Sequence, residues 1–268
     1  MEPPNSGLGV ALVELQELTR RLRRDCPWDR EQTATTIVPH TVEEAYEVAD
    51  AARADDPEKL LDELGDLLFQ VYFLALLLSE QGYGGLEEVA RNVHAKLVRR
   101  HPHVFGDADV KTAARVRRRW EALKTEQEGR SGIFHDVPLS LPALLLARKV
   151  QRRAAAVDFE YPDLAGALAD LEDELAELKA ELSGKPDPAP ETQPDPRQAA
   201  ELGDLLFAAV NVARHLNADP ELELRTAAGR FRTRVEDAER RAAADGKDWT
   251  DLPLAEQDRY FDLAKGLA

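Results

Sequence analysis

Glu63-Leu-Gly-Asp-Leu-Leu-Phe69 recurs without a change as Glu201-Leu-Gly-Asp-Leu-Leu-Phe207. A second acidic pair precedes each copy: Glu44 with Glu47 before the first, Glu174 with Glu177 before the second. Residues three apart share one face of a helix, so each half of the chain offers two acidic pairs on two neighbouring helices. Carboxylates gathered in this way repel one another unless a cation sits among them. The repetition predicts two related domains, and a chain of 268 residues has room for both.

The residues between these motifs favour helix throughout. Ala, Leu, Glu and Arg are abundant and alternating β-branched runs nearly absent, which predicts an all-α fold of tandem helical bundles. A hydrophobic fraction of 43% supplies ordinary cores. The formal charge of -16 excludes a protein whose main work is stable nucleic-acid binding, because that grip comes from clustered Lys and Arg. The single cysteine, Cys26, forms no internal disulfide and suits a reducing compartment, so the expected location is the cytoplasm. No basic-then-apolar leader opens the chain, and the longest apolar stretch, Leu67 to Leu78 with Gln70 inside it, is too short to span a bilayer. No membrane partner is expected.

The pattern divides into an N-terminal domain over 1–130, a connector over 131–142 and a C-terminal domain over 143–268. In the first, helices are expected over Val10 to Arg24, from an N-cap at Thr41 to Ala54, from Pro57 to the Gly82–Gly85 turn, over Leu86 to Arg100, and around Trp120. In the second, a helix over Ala143 to Ala156 precedes the helix of Glu174 and Glu177. A Pro-rich insert at 184–196 then separates that helix from the repeated motif. Both copies of the motif are intact, so the insert lengthens a connection without breaking the site. Trp28, in Cys26-Pro-Trp-Asp29, is expected to be a buried anchor of its loop.

Carboxylates in the order Glu-x-x-Glu then Glu-x-x-Asp are hard oxygen ligands, suited to Mg²⁺, with Mn²⁺ as a substitute, rather than zinc or copper. A di-iron bundle would use Glu-x-x-His pairs, and no histidine here has Glu three positions before it. Mg²⁺ held by carboxylates completes its shell with water and substrate phosphates, which points to a polyphosphate partner and requires basic residues to hold it. Lys96 and Arg100 in one half, and Arg230 and Arg234 in the other, are basic pairs one turn apart. Lys59 and Arg197 each stand four residues before the motif Glu. Glu43 is the candidate for orienting water beyond the ligands.

Cys26-Pro-Trp-Asp29, Glu43-Glu-x-x-Glu47, Glu63-Leu-Gly-Asp66 and Arg99-Arg-His-Pro-His-Val-Phe105 together resemble the MazG family of nucleoside triphosphate pyrophosphohydrolases. The likeness extends to Leu141-Pro-Ala143 and Asn211-Val-Ala-Arg-His-Leu216. It implies Mg²⁺-dependent hydrolysis of (deoxy)nucleoside triphosphates to monophosphate and pyrophosphate, by a homodimer whose bundles are completed across the subunit interface. The implied metal ligands are Glu44, Glu47, Glu63 and Asp66, and Glu174, Glu177, Glu201 and Asp204. The implied phosphate contacts are Lys59, Lys96 and Arg100, or Arg197, Arg230 and Arg234, with Trp120 or Phe261 against the nucleotide. The chain departs from the family pattern at Asp170, where members can carry Lys one turn before the first Glu pair; His40 holds that place in the first copy. The competing expectations are a non-catalytic helical interaction protein, and a pyrophosphohydrolase for alarmones or damaged nucleotides.

Overall fold

The computed structural model describes residues 6–106, 132–135, 137–186 and 192–266, and all regular structure among them is helical. The chain divides into two compact units, Met1–Lys124 and Thr125–Ala268. Among the described residues no helix is long and apolar enough to cross a membrane.

The first unit is built on a pair of long helices, α3 (Ala34–Arg53) and α4 (Pro57–Glu80), joined by a turn in which Asp55 takes a left-handed conformation. A connection this short sends α4 back along α3. Asp56 fixes where α4 begins, its carboxylate accepting the backbone N–H of Lys59. Ile37 of α3 packs with Phe73 and Leu77 of α4, all buried, and Phe69 and Leu74 lean on that cluster. Helix α1 (Ser6–Asp25) lies against α4 and against the short α2 (Pro27–Glu31); α5 (Leu86–Arg100) follows α4 and ends in the single turn of α6 (Pro102–Phe105).

Helix α3 starts earlier than the sequence suggests. Its N-cap is Thr33, in a capping box with Thr36, and Thr41 lies inside the helix. Pro39 is carried within the second turn, where it withholds only one backbone donor.

The second unit repeats the pair as α8 (Leu164–Leu182) and α9 (Pro196–His215), with α7 (Ala143–Ala155) laid against α9. Asp163 and Asp195 cap the two long helices, and Pro196 occupies the first helical position of α9, where its missing N–H costs nothing. Ala167 of α8 and Ala208 and Val210 of α9 are buried in this unit. A separate core lies further on. Ala238 and Ala242 of α10 (Pro220–Ala244) meet Tyr260 and Ala264 of α11 (Leu254–Lys265), and the Tyr260 hydroxyl donates to Asp245 at 2.7 Å.

Candidate metal and nucleotide site

The two helix pairs each bring a set of carboxylates together. Oxygens of Glu44, Glu63 and Asp66 lie within 4.8 Å of one another, as do those of Glu174, Glu177 and Glu201. The remaining two ligands expected from sequence join these groups. Glu47 hydrogen-bonds to Glu63, and Asp204 is close enough to act electrostatically on Glu174 and Glu201. All eight carboxylates therefore converge on two clusters, one per unit. Helix geometry explains it: the Glu pair of α3 or α8 and the Glu/Asp pair of α4 or α9 face each other across an antiparallel contact.

The clusters carry the strain of uncompensated charge. Burial, and then the charges of Asp66, Glu47 and Glu43, raise the Glu44 carboxyl above the ordinary range. Burial raises Glu63 as well, as do its bond to Glu47 and that group's charge, against the pull of Lys59. Glu63 is only 7% exposed. In the second unit burial is again the first cause, followed by Asp204 and Glu177 for Glu174 and by Glu177 and Asp204 for Glu201. A carboxylate pair that shares a hydrogen bond must share a proton, and a divalent ion would replace that proton to advantage. Hard oxygen donors, mutual repulsion and partial burial all fit Mg²⁺.

The basic residues are spread more widely. Lys59 lies with its Nζ 3.7 Å from Oε1 of Glu63, while Arg197, at the matching place on α9, is exposed. On α5, Lys96 is exposed and Arg100 half-buried; on α10, Arg230 is exposed and Arg234 half-buried. Glu43 is exposed beside His40, whose Nδ1 is 3.7 Å from its Oε2. Phe261 is half-buried on α11, its ring against Phe231 and under the Lys265 ammonium. Trp120 lies outside the described residues.

Trp28 is not the buried anchor that its motif suggests. Its side chain is 52% exposed, and the loop is held by backbone groups instead. Arg23 of α1 donates to the carbonyl oxygens of Asp29, Arg30 and Gln32 at 2.6 to 2.9 Å, and both its Nε and Nη2 reach Glu80 of α4. Composition does not reveal this: an arginine in a basic run looks like a solvated one. The Trp28 ring stands edge-on to His40, centroids 5.8 Å apart.

The MazG nucleotide pyrophosphohydrolase domain matches residues 32–105. Over 257 residues the chain is 38% identical to a nucleoside triphosphate pyrophosphohydrolase of Escherichia coli K12, covering 95% of each chain. Over 263 residues it is 36% identical to the nucleoside triphosphate pyrophosphohydrolase/pyrophosphatase MazG of Thermotoga maritima, covering 96% of this chain and 97% of that one. A crystal structure of a mazG-related protein from Thermotoga maritima aligns with 42% of this chain and 97% of its own, at 26% identity and a TM-score of 0.37.

Proposed function

The chain belongs to the MazG nucleotide pyrophosphohydrolase family and is a nucleoside triphosphate pyrophosphohydrolase; we propose that it works through its paired acidic clusters, releasing pyrophosphate from (deoxy)nucleoside triphosphates in a Mg²⁺-dependent reaction. The observation that carries this is the convergence of eight carboxylates, four in each unit, with four of them pushed upward in pKa. Such groups are poised to exchange protons for a cation.

Glu44, Glu47, Glu63 and Asp66 would hold the metal in the first unit, and Glu174, Glu177, Glu201 and Asp204 in the second. Bound there, Mg²⁺, or Mn²⁺ in its place, supplies acidification of a water and offsets charge on the departing pyrophosphate. The chain's own groups do the rest. Lys59, one turn before Glu63, is free to turn from the carboxylate to a phosphate oxygen, since its ammonium is in water and 3.7 Å is long for an ion pair. Lys96 and Arg100, or Arg230 and Arg234, are placed in the proposal on the outer phosphates, and Arg197 takes the part of Lys59 in the second unit. Glu43 orients the attacking water from outside the ligand set.

A homodimer completes the protein in this reading. Leu61, Leu64, Leu68, Val71 and Leu78 form one stripe along α4 and are all exposed, Leu61 to 75%; Leu202 and Leu206, the counterparts of Leu64 and Leu68, are exposed on α9. A single-copy helix with such a face lacks the cover that apolar stripes require. The lone thiol is in keeping with a cytoplasmic enzyme.

The reaction is tested by assaying pyrophosphate release from dNTPs with Glu47→Gln and Glu177→Gln combined. Loss of at least a hundredfold in Mg²⁺-dependent rate is expected from removing one ligand at both clusters. A wild-type rate in the double variant rules the acidic clusters out as the active sites.

A further inference from the structure

Each unit places one aromatic ring at the rim of its acidic cluster, by different residues and different bonds. In the first, the ring of Trp28 meets His40, which stands one turn before Glu44 on α3. In the second, the hydroxyl of Tyr161 donates to Asp170 at 2.7 Å, and Asp170 stands one turn before Glu174 on α8. The position one turn ahead of the first ligand thus carries an aromatic partner in both units, although the position itself is His in one and Asp in the other.

Both rings are held on fixed backbone yet left open. Helix α2, which carries Trp28, is tied to α4 by Arg23, through the carbonyl oxygens of Asp29, Arg30 and Gln32 and the carboxylate of Glu80. The loop of Tyr161 is tied to α9 through its neighbour Glu160, whose Oε1 lies 2.6 Å from Nη1 of Arg214 and 3.4 Å from Nε2 of His215. The helices that receive these ties, α4 and α9, are the two that bear the repeated motif. Tyr161 is seated further by Gly166: a Cβ added at that glycine would come within 3.2 Å of the Cβ of Tyr161 and 3.3 Å of its Cδ1, so the ring packs closely on the glycine. Even so, Tyr161 remains 40% exposed. Each ring is thus positioned by its neighbours while much of its surface stays in water.

We propose that Trp28 and Tyr161 are the nucleobase platforms of the two sites, stacking on the base of a nucleoside triphosphate whose phosphates lie among the carboxylates. The inference rests on the function proposed above and adds, to the Trp120 or Phe261 that the family resemblance sets against the nucleotide, a ring for the face of the base. Each ring thus stands one residue contact and one helical turn from the first ligand Glu of its cluster. Stacking is tolerant of base identity, because every base presents a π-face. Selectivity between bases then falls to the polar edges beside each ring, His40 in one unit and Asp170 in the other. An imidazole and a carboxylate offer different hydrogen-bond partners to a base edge, so the two sites differ in base preference.

The test measures binding on the full chain with Mg²⁺, using a non-hydrolysable nucleoside triphosphate analogue and inorganic tripolyphosphate, which has no base. Glu201→Gln silences the second cluster while Trp28 is studied, and Glu63→Gln silences the first while Tyr161 is studied. Trp28→Ala and Tyr161→Ala are each expected to weaken the analogue about tenfold or more, the loss of one stacked base. Tripolyphosphate affinity stays as it was, and Trp28→Phe and Tyr161→Phe, which keep a ring, change analogue affinity less than threefold. Unchanged analogue binding in the Ala variants overturns the assignment, as does an equal loss for both ligands, which marks damage to the cluster rather than loss of a platform. If the unsubstituted chain binds neither ligand, the acidic-cluster reading itself fails, an outcome distinct from the other two.

Discussion

The ammonium of Lys59 lies 3.7 Å from Oε1 of Glu63, one turn along the same helix, so the first acidic cluster already contains a cation of the chain's own. That lysine and a metal compete for one carboxylate. Lys59→Gln is expected to tighten Mg²⁺ alone by severalfold, no more than fivefold for a long pair with an exposed lysine, worth about 1 kcal/mol at most. The same substitution raises KM for a triphosphate, because the displaced lysine is then missing from the phosphate side. Calorimetric Mg²⁺ titration and steady-state kinetics on one preparation check both signs.

Proton linkage gives a second outcome. Glu44, Glu63, Glu174 and Glu201 hold their protons more tightly folded than unfolded. Their contribution to stability is complete below the ordinary glutamate value of 4.5 and is lost as pH rises through the raised ones. Glu88, Asp195, Asp237, Asp248 and Glu256 are held low by hydrogen bonds and ion pairs, so they oppose this trend only once the pH has fallen to the ordinary range and beneath it. The melting temperature of the chelator-treated chain therefore rises as pH drops from neutral toward that range. Saturating Mg²⁺ removes the rise, since the ion requires deprotonated ligands, and Glu44→Gln with Glu174→Gln flattens it without metal. Melting curves across pH, with and without Mg²⁺, decide the matter.

The exposed stripe on α4 gives a third. Leu61→Glu combined with Leu68→Glu sets two charges where apolar surface is left uncovered within one chain. If a second copy covers it, sedimentation shows the mass falling from that of two chains to that of one. If nothing covers it, the substitutions are surface changes worth no more than about 0.5 kcal/mol, and the mass stays put.

How far the sequence carries can be followed residue by residue. Helix periodicity and capping residues give α5 its observed limits, Leu86 to Arg100, and place Pro57 at the start of α4. The eight carboxylates are legible because the motif occurs twice and because helical spacing fixes which of them share a face. What sequence does not reveal depends on pairings between residues far apart along the chain. Arg23 and Glu80 are separated by 57 positions, and Arg214 and Glu160 by 54. Those two bonds decide that Trp28 and Tyr161 stand at the rims of their clusters rather than inside the core. No local preference of Trp for burial competes with a backbone already fixed by three hydrogen bonds to one guanidinium.

The start of α3 shows the same limit on a smaller scale, and it is open to measurement. Thr33 and Thr41 are both plausible caps by residue type, and Pro39 between them favours the later one. The structure chooses Thr33: its hydroxyl accepts the Thr36 N–H at 3.2 Å while the Thr36 hydroxyl accepts the Thr33 N–H at 2.8 Å, so two orphan donors are satisfied at once. Thr41 makes one 3.4 Å bond to the carbonyl of Ile37, within a helix that does not need it. Thr33→Ala should therefore cost about 1 kcal/mol of stability in denaturant titration, and Thr41→Ala a few tenths at most or a slight gain, since Ala is the better helix former. The reverse order would mean that α3 begins after Thr41 in solution. Ile37 would then lie outside the helix that presents it to Phe73, and the first unit would lose the contact on which its carboxylate pair is aligned.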